Sequence, residues 1–404
     1  MTFREDEEGP AERRGLGSFC EGEHPPEDFY LLPLIDPVQA KGGLALAGGW
    51  RRFSRLCVLR RRARGADRCE IAASSLPRAL DQVPAALAAR LHRQFEALTA
   101  SRAPWAGLSL DRPRIMGIVN VTPDSFSDGG RPGGTAGAIA HGEALAAAGA
   151  DILDIGGEST RPGAEPVPVA EELRRVIGVI EALARRGHCV SVDTRHPEVM
   201  TAALRAGAAI VNDIAGLEMP GALDAVARRD REDGGGVEES GGEGRDRVES
   251  GAGPKPDAAS VVLMHMRGEP RSMQVEPRYR AAALDVFDYL EARLGTVMAA
   301  GIPADRVMLD PGIGFGKTLD HNLDILCHLA LFHGTGRPML LGVSRKGFIA
   351  GLAGACDPRD RLGGSLAAAL AGVESGVQVL RVHDVAETRQ ALAVAQALAA
   401  FGQD

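Results

Sequence analysis

The chain has 404 residues, 45% of them apolar, and sets 46 Lys and Arg against 54 Asp and Glu for a formal charge of −8. That balance excludes a general nucleic-acid or anionic-membrane binder, so an anionic ligand must be held by local cations. The six cysteines form no C-x-x-C pair, no run reaches the roughly 18 apolar residues of a spanning helix, and the N-terminus has no apolar leader, so a soluble cytoplasmic protein with reduced thiols is expected.

Residues 1–28 are charged and rich in Gly and Pro, the composition of a disordered tail. Between 29 and 112 the pattern predicts a small α+β extension. Its strands are expected at 29–35, 52–59 and 69–74, and its helical segment at 76–98. Its role stays open between docking on the rest of the chain, assembly and an unrelated binding function.

From 113 to 404 short β-branched runs alternate with Ala- and Leu-rich amphipathic segments. Eight strands are predicted, at 114–121, 150–156, 189–193, 209–213, 260–266, 306–310, 338–344 and 377–383. Nearly continuous apolar strands separated by helices imply parallel β/α units covered on both faces. Eight such units suit an α/β architecture of the (β/α)8 TIM-barrel type, whose usual size is ~250 residues with room for insertions. The Gly-, Ser- and acid-rich stretch 231–258 cannot bury a core and reads as a disordered insertion. It sits in an αβ connection, on the barrel face opposite the one that carries chemistry.

The stretch LDPGIGFGKT, 309–318, suggests a nucleotide loop and fails the test. A P-loop needs glycine at 311, where Pro311 stands, and a dinucleotide fingerprint needs glycine at 317, where Lys317 stands. What remains is Asp310 at the end of an apolar strand. The other predicted strands end alike, in Asn120, Asp154 with Glu158, Asp193, Asn212 with Asp213, His265, Ser344 with Lys346, and Arg381 with His383. In a barrel these ends face the catalytic mouth. So many polar ends at one mouth point to a polar ligand rather than to capping alone. Asp193, Asn212, Asp310 and Lys346 suit the edge of a flat heterocycle with N–H groups and a carbonyl. Asn120, Arg161, Arg381 and His383 suit a diphosphate, with or without a metal ion.

The motifs GIVNVTPDSFSDGG (117–130), DILDIGGESTRPGA (151–164), SVDT (191–194), NDI (212–214), MHMRG (264–268), LDPGIGFGK (309–317), GVSRKGF (342–348) and RVHDV (381–385) resemble, in order, those of the dihydropteroate synthase family. The resemblance spans about 113–401 and leaves the first hundred or so residues uncovered. It implies condensation of 6-hydroxymethyl-7,8-dihydropterin diphosphate with 4-aminobenzoate to 7,8-dihydropteroate, with loss of pyrophosphate. It implies that Asp193, Asn212, Asp310 and Lys346 hold the pterin. Asn120, through Mg²⁺, and Arg381 with His383 would hold the diphosphate. Phe126, Thr160, Arg161, Pro162, Phe315 and Ser344, together with Asp128, would build the aminobenzoate pocket. Asp193, Asp310, Lys346 and Arg161 are the residues on which catalysis is expected to depend. A homodimer through outer barrel helices is also implied.

The Gly-, Ser- and Pro-rich loops 122–134 and 156–166 are of a kind that closes over substrate and excludes water. Asp154 is left between two roles, orienting Thr160 and Arg161 or binding backbone amides. His265 is expected to be a packed, hydrogen-bonded histidine. Two other readings compete: a pterin barrel that moves a methyl group from methyltetrahydrofolate to a corrinoid protein, and a non-catalytic pterin-binding paralogue. The first needs neither the Arg381/His383 pair nor the two aminobenzoate loops. The second would be marked by loss of Arg161, Lys346 or Arg381, and all three are present.

Overall fold

The computed structural model describes residues 15–22, 24–37, 42–121, 134–159, 165–227, 259–354 and 356–401. Eight parallel strands follow one another around a barrel: β5 (Arg114–Asn120), β6 (Ile152–Gly156), β7 (Val190–Asp193), β8 (Ile210–Asp213), β9 (Ser260–Met264), β10 (Val307–Asp310), β11 (Leu340–Leu341) and β12 (Val379–Val382). They pair in the order β10-β9-β8-β7-β6-β5-β12-β11, and a parallel bridge from Leu309 to Met339 joins the two ends. All eight predicted strands are present. The seventh is much shorter than 338–344, because Gly342 to Lys346 leave the ladder to form the mouth.

Each strand sends alternate residues inward. At the bottom of the barrel Met116, Ile152, Ile210, Val262, Met308, Leu340 and Val379 pack together and against Trp105. Trp105 is almost wholly buried and donates from Nε1 to Arg306 O at 2.8 Å, so the linker ahead of β5 plugs the lower mouth. Two residues further along, the same parity delivers Asp154, Asn212, Asp310 and Arg381. Polar groups therefore rise toward the upper mouth while the apolar layer seals the lower one.

The outer helices close the units. α4 (Gly134–Ala148) follows β5. α5 (Val169–Arg185) starts after Pro168, carries Glu171 and Glu172 in its first turn and Arg185 in its last, and buries Val176, Val179, Ile180 and Leu183 along one stripe. α6 (Pro197–Arg205) and α7 (Ala222–Ala227) are short, and α8 (Ala282–Ala299) is long. α9 (Leu319–Cys327), α10 (Gly347–Ala353), α11 (Leu362–Glu374) and α12 (Val385–Phe401) complete the ring. The predicted insertion 231–258 lies outside the described residues.

Ahead of the barrel, β3 (Arg52–Arg61) pairs antiparallel with β1 (Phe29–Ile35), β2 (Leu44–Ala45) and β4 (Ala66–Ala72). The predicted helical segment is divided at Pro84 into α2 (Leu76–Leu80) and α3 (Ala85–Thr99), as a residue without an N–H requires. The expected tail ends earlier than 28. A one-turn helix, α1 (Leu16–Phe19), buries Leu16, and Cys20 is buried beside it, in the same hydrophobic cluster as Phe29, Leu56 and the barrel's Phe287 and Phe332. Residues 1–14 lie outside the described set. The extension therefore shares one core with the barrel.

Candidate active site

A cleft of about 770 Å³ opens at the upper mouth and is lined by Asn120, Asp193, Phe315, Lys346, Arg381 and His383, with Ser344 and Glu158 at its sides. Asn212 and Asp310, 4% and 6% exposed, form a layer beneath it. Side chains at or just beyond the ends of seven strands thus gather at the upper end of the barrel, lining the cleft or lying beneath it. Phe126, Asp128, Thr160, Arg161 and Pro162 lie outside the described residues.

The floor is an ion-paired network. Arg381 donates from Nε to Asp154 Oδ2 at 2.7 Å and from Nη2 to Asp193 Oδ2 at 2.6 Å. Asn212 Nδ2 donates to the same Asp154 oxygen at 3.1 Å. Asp154 is fully buried. Of the two roles expected for it, orienting Thr160 and Arg161 concerns residues outside the described set; among the described residues the Asp154 carboxylate accepts from the side chains of Arg381 and Asn212. The expected pterin and diphosphate groups touch here, because Arg381 of one set is paired with Asp193 of the other.

Burial sets the protonation of this network. It pushes the Asp193 carboxyl up to about 7 against the lowering pull of Arg381, and it raises Asp310 despite the Gly312 N–H that donates to Asp310 Oδ1 at 2.7 Å. Burial also brings the Lys346 ammonium down to about 8, opposed by Asp310. For Arg381 burial works against the cation, but Asp154 and Asp193 outweigh it and hold the guanidinium charged. Lys346 Nζ stands 3.9 Å from the centre of the Phe315 ring, a cation–π contact. Ser344 Oγ and His383 Nδ1 are 3.0 Å apart, and the His383 N–H donates to the same hydroxyl at 3.2 Å.

The loop after Asp310 needs its glycines. Gly312 (φ +68) and Gly316 (φ +62) lie in the left-handed region, and a Cβ on them would come within 1.9 Å of His265 O and 2.3 Å of Arg267 O. Lys317, passed over when the P-loop test failed, is the staple of this turn. Its buried Nζ donates to Gly312 O at 2.8 Å and Phe315 O at 2.9 Å, and lies 2.9 Å from His265 Nδ1. His265 is the packed histidine expected, with its ring edge-on to Tyr289 at 4.8 Å. Burial, then the Lys317 charge, hold it well below its usual pKa. Asn322 Oδ1 accepts from Gly314 N at 2.7 Å.

Two further groups position the mouth: Arg345, to which the sequence reading gave no role, and Glu158, which it named only as a polar strand end. Arg345 has φ +59, an uncommon conformation for a side chain with Cβ, held by its N–H to Ser365 Oγ at 2.9 Å, by its guanidinium on Asp384 and by Arg361 on its carbonyl. That strained residue aims Lys346 into the cleft. Glu158 accepts from Val167 N at 3.2 Å and from both Nε and Nη2 of Arg195 at 3.2 Å, so it ties together the two ends of the second βα loop. Asp213, another of the polar strand ends, caps its own turn by accepting from the N–H groups of Ala215 and Leu217.

A parallel barrel with buried carboxylates, an amide, a lysine and an arginine at its upper mouth defines a pterin-binding enzyme, and the family model of that description matches residues 116–232 and 255–383. The dihydropteroate synthase of Escherichia coli K12 is 44% identical over 291 residues, covering 72% of this chain and 93% of its own. That of Neisseria meningitidis serogroup C is 45% identical over 294 residues, covering 72% and 94%. Among solved structures, the dihydropteroate synthase of Xanthomonas albilineans with 4-aminobenzoic acid is 47% identical with a TM-score of 0.62, covering 72% of this chain and 96% of that one. The same enzyme in complex with 7,8-dihydropteroate is 45% identical, covers 72% and 95%, and has a TM-score of 0.59. The chain belongs to the dihydropteroate synthase family. The corrinoid methyltransferase reading is thereby set aside.

Proposed function

We propose that the cleft condenses 6-hydroxymethyl-7,8-dihydropterin diphosphate with 4-aminobenzoate, and that the described residues divide the work as follows. Asp310, Asn212 and Asp193 meet the amino and ring N–H groups of the pterin, and Lys346 its carbonyl side. The pterin methylene C–O bond breaks, and the electron pair leaves with the diphosphate. The carboxylates beneath the ring favour the positive charge that develops on it. The arylamine nitrogen then forms the new C–N bond and loses its proton to solvent. Arg381 and His383 hold the departing diphosphate. Phe315 and Ser344 belong to the aminobenzoate side, with Phe126, Thr160, Arg161 and Pro162 of the two loops outside the described residues.

The observation that carries this reading is the pair of buried carboxylates, Asp193 and Asp310. Both are pushed toward protonation by burial, and Asp193 lines the cleft while Asp310 lies beneath it. Acceptors so placed are matched to a ring that presents N–H donors. Among the described residues no group of three or more His, Cys, Asp or Glu side chains forms a metal cage. Mg²⁺ commonly keeps its waters and binds through substrate phosphates with one or two protein oxygens, a pattern that the single Asn120 amide fits. Mg²⁺ held there supplies charge neutralisation at the diphosphate.

The same reading includes a homodimer and a cytoplasmic location. Val394, Leu398 and Phe401, spaced along one face of α12 and 57%, 69% and 86% exposed, support an outer-helix interface. Among the described residues no helix is long and apolar enough to cross a membrane. The test is incubation of the purified protein with dihydropterin diphosphate, Mg²⁺ and 4-aminobenzoate, following both products. Stoichiometric pyrophosphate and dihydropteroate are expected, and pyrophosphate release without dihydropteroate overturns the assignment.

A further inference from the structure

The extension 29–112 lies outside the residues matched by the family model, yet it reaches the catalytic face. The turn between β3 and β4 is closed by Arg62 N to Gly65 O at 3.0 Å, and Gly65 N donates to Arg280 O at 3.0 Å. Arg280 stands in the segment joining β9 to α8. That segment is a βα connection, so it belongs to the mouth. Its N–H donates to Asp285 Oδ2 at 2.8 Å. The other oxygen of Asp285 receives a guanidinium N–H from Arg61, the last residue of β3. Arg61, its side chain 3% exposed, also donates to Asp288 and to the Tyr30 hydroxyl, and Tyr30 donates to Asp288 at 2.8 Å. One buried arginine of the extension therefore gathers two carboxylates from the first turns of α8.

The same connection leads into the cleft. Met273 and Gln274 line it. Gln274 Nε2 donates to Gly314 O at 2.7 Å, and the Tyr279 hydroxyl to Gly316 O at 2.9 Å. Gly314 and Gly316 flank Phe315, on which Lys346 rests. An unbroken series of contacts thus runs from Arg61 and Gly65 through Arg280, Tyr279 and Gln274 to the loop that follows Asp310.

We propose that the N-terminal extension is a positioning element for the active site, and that Arg61 and the β3–β4 turn fix the 265–281 connection against the Gly314–Gly316 loop. A barrel without this brace would keep its strand-end residues and the Arg280 N–H bond to Asp285, but lose the Gly65 contact on Arg280 and the Arg61 guanidinium that holds Asp285. The reading of its effect on turnover rests on the dihydropteroate synthase assignment, while the effect on the connection itself does not.

Two readouts separate the claims. In Arg61→Met, amide hydrogen exchange across 265–281 is expected to accelerate at least about tenfold relative to the strands of the barrel. KM for dihydropterin diphosphate is expected to rise about three- to tenfold, with kcat changing less. Arg61→Lys, which keeps the charge but not the fork, should recover part of both effects. If Arg61→Met fails to fold, Asp285→Asn and Arg61→Lys are read by the same two measurements. Unchanged exchange at 265–281 beside fast exchange in 29–72 would make the extension a stabilising cover only and overturn the proposal. Fast exchange at 265–281 with unaltered KM and kcat would overturn the link to the site. Absence of synthase activity in the unmodified protein strikes the function assignment instead.

Discussion

Arg381 reaches Asp193 at 2.6 Å and Asp154 at 2.7 Å, so the guanidinium at the end of the last strand closes a charge cluster whose carboxylates come from the second and third. The same arginine is the one proposed to meet the diphosphate. A bound diphosphate would compete with Asp193 for its donors and leave Asp193 freer to face the pterin. On the proposed division of roles, the two halves of the substrate would be coupled through one side chain.

Replacing Arg381 tests that coupling. Arg381→Met strands a fully buried Asp154 and a nearly buried Asp193, a loss expected to cost about 3 kcal/mol of stability. Arg381→Lys keeps a charge without the fork and should lose less stability than activity. Urea unfolding and initial rates on the same preparations check both; a methionine variant as stable as the parent contradicts the network.

The pH dependence follows from Asp193. Its folded pKa, about 7, lies above the ordinary 3.8. The ionised form is therefore the less favourable one in the fold. The contribution of Asp193 to stability is fully present below about pH 4 and is lost as pH rises through about 7. The proposed mechanism asks for the opposite state, the ionised carboxylate beside the developing cation. kcat/KM is expected to fall on an acid limb centred near pH 7. A profile flat between about pH 6 and 8 would mean that Asp193 does not serve in its ionised form.

Much of this was legible from the chain. β-Branched runs ending in Asn120, Asp193, Asp310 and Arg381 announce a barrel, because a period of two sends every second residue inward and the strand ends form the mouth. The pairing of Arg381 with Asp154 was not legible, since 227 residues separate them and nothing local records which strands are neighbours across the barrel. The role of Lys317 was hidden for a different reason. A lysine after Gly-x-Gly suggests phosphate binding, whereas here the turn folds back and buries the ammonium among its own carbonyls. The extension was the least legible part. Its anchors Arg61 and Tyr30 find Asp285 and Asp288 more than 220 residues later, and alternation within β3 says only that one face is apolar.

Lys346 offers a trade between stability and activity. Burial lowers its pKa from 10.5 to about 8. The charged form is thus disfavoured by folding, and that loss grows as pH falls from about 10.5 through 8. At neutral pH Lys346→Met removes a desolvated charge and adds apolar surface against Phe315. Its melting temperature is expected to rise by about 2 °C while kcat/KM drops about a hundredfold. Lower thermal stability in that variant would show that the lysine is needed by the fold.

Lys317 should behave in the reverse way. Its ammonium supplies the donors for Gly312 O and Phe315 O in a buried turn. Lys317→Met leaves those carbonyls without a partner, and about 3 kcal/mol of stability should go with it. Because Asp310 and Phe315 flank the turn, KM for the pterin substrate should rise in whatever fraction folds. Thermal melts combined with active-site titration distinguish a smaller folded fraction from a weaker site.

The second βα loop supplies the last test. Glu158 binds Val167 N–H and the Arg195 fork, so both ends of the segment that contains Arg161 are held by one carboxylate. Arg161 itself is expected to contribute to catalysis and not to the fold. Arg161→Ala should lose most of its turnover with an unchanged melting temperature. Glu158→Gln keeps one acceptor for Val167 but weakens the Arg195 fork. It should raise KM for 4-aminobenzoate about three- to tenfold while leaving KM for the pterin diphosphate close to that of the parent. Equal effects on the two substrates would place Glu158 under the whole mouth, whereas a collapse of melting temperature in Arg161→Ala with full activity per folded molecule would remove Arg161 from the site altogether.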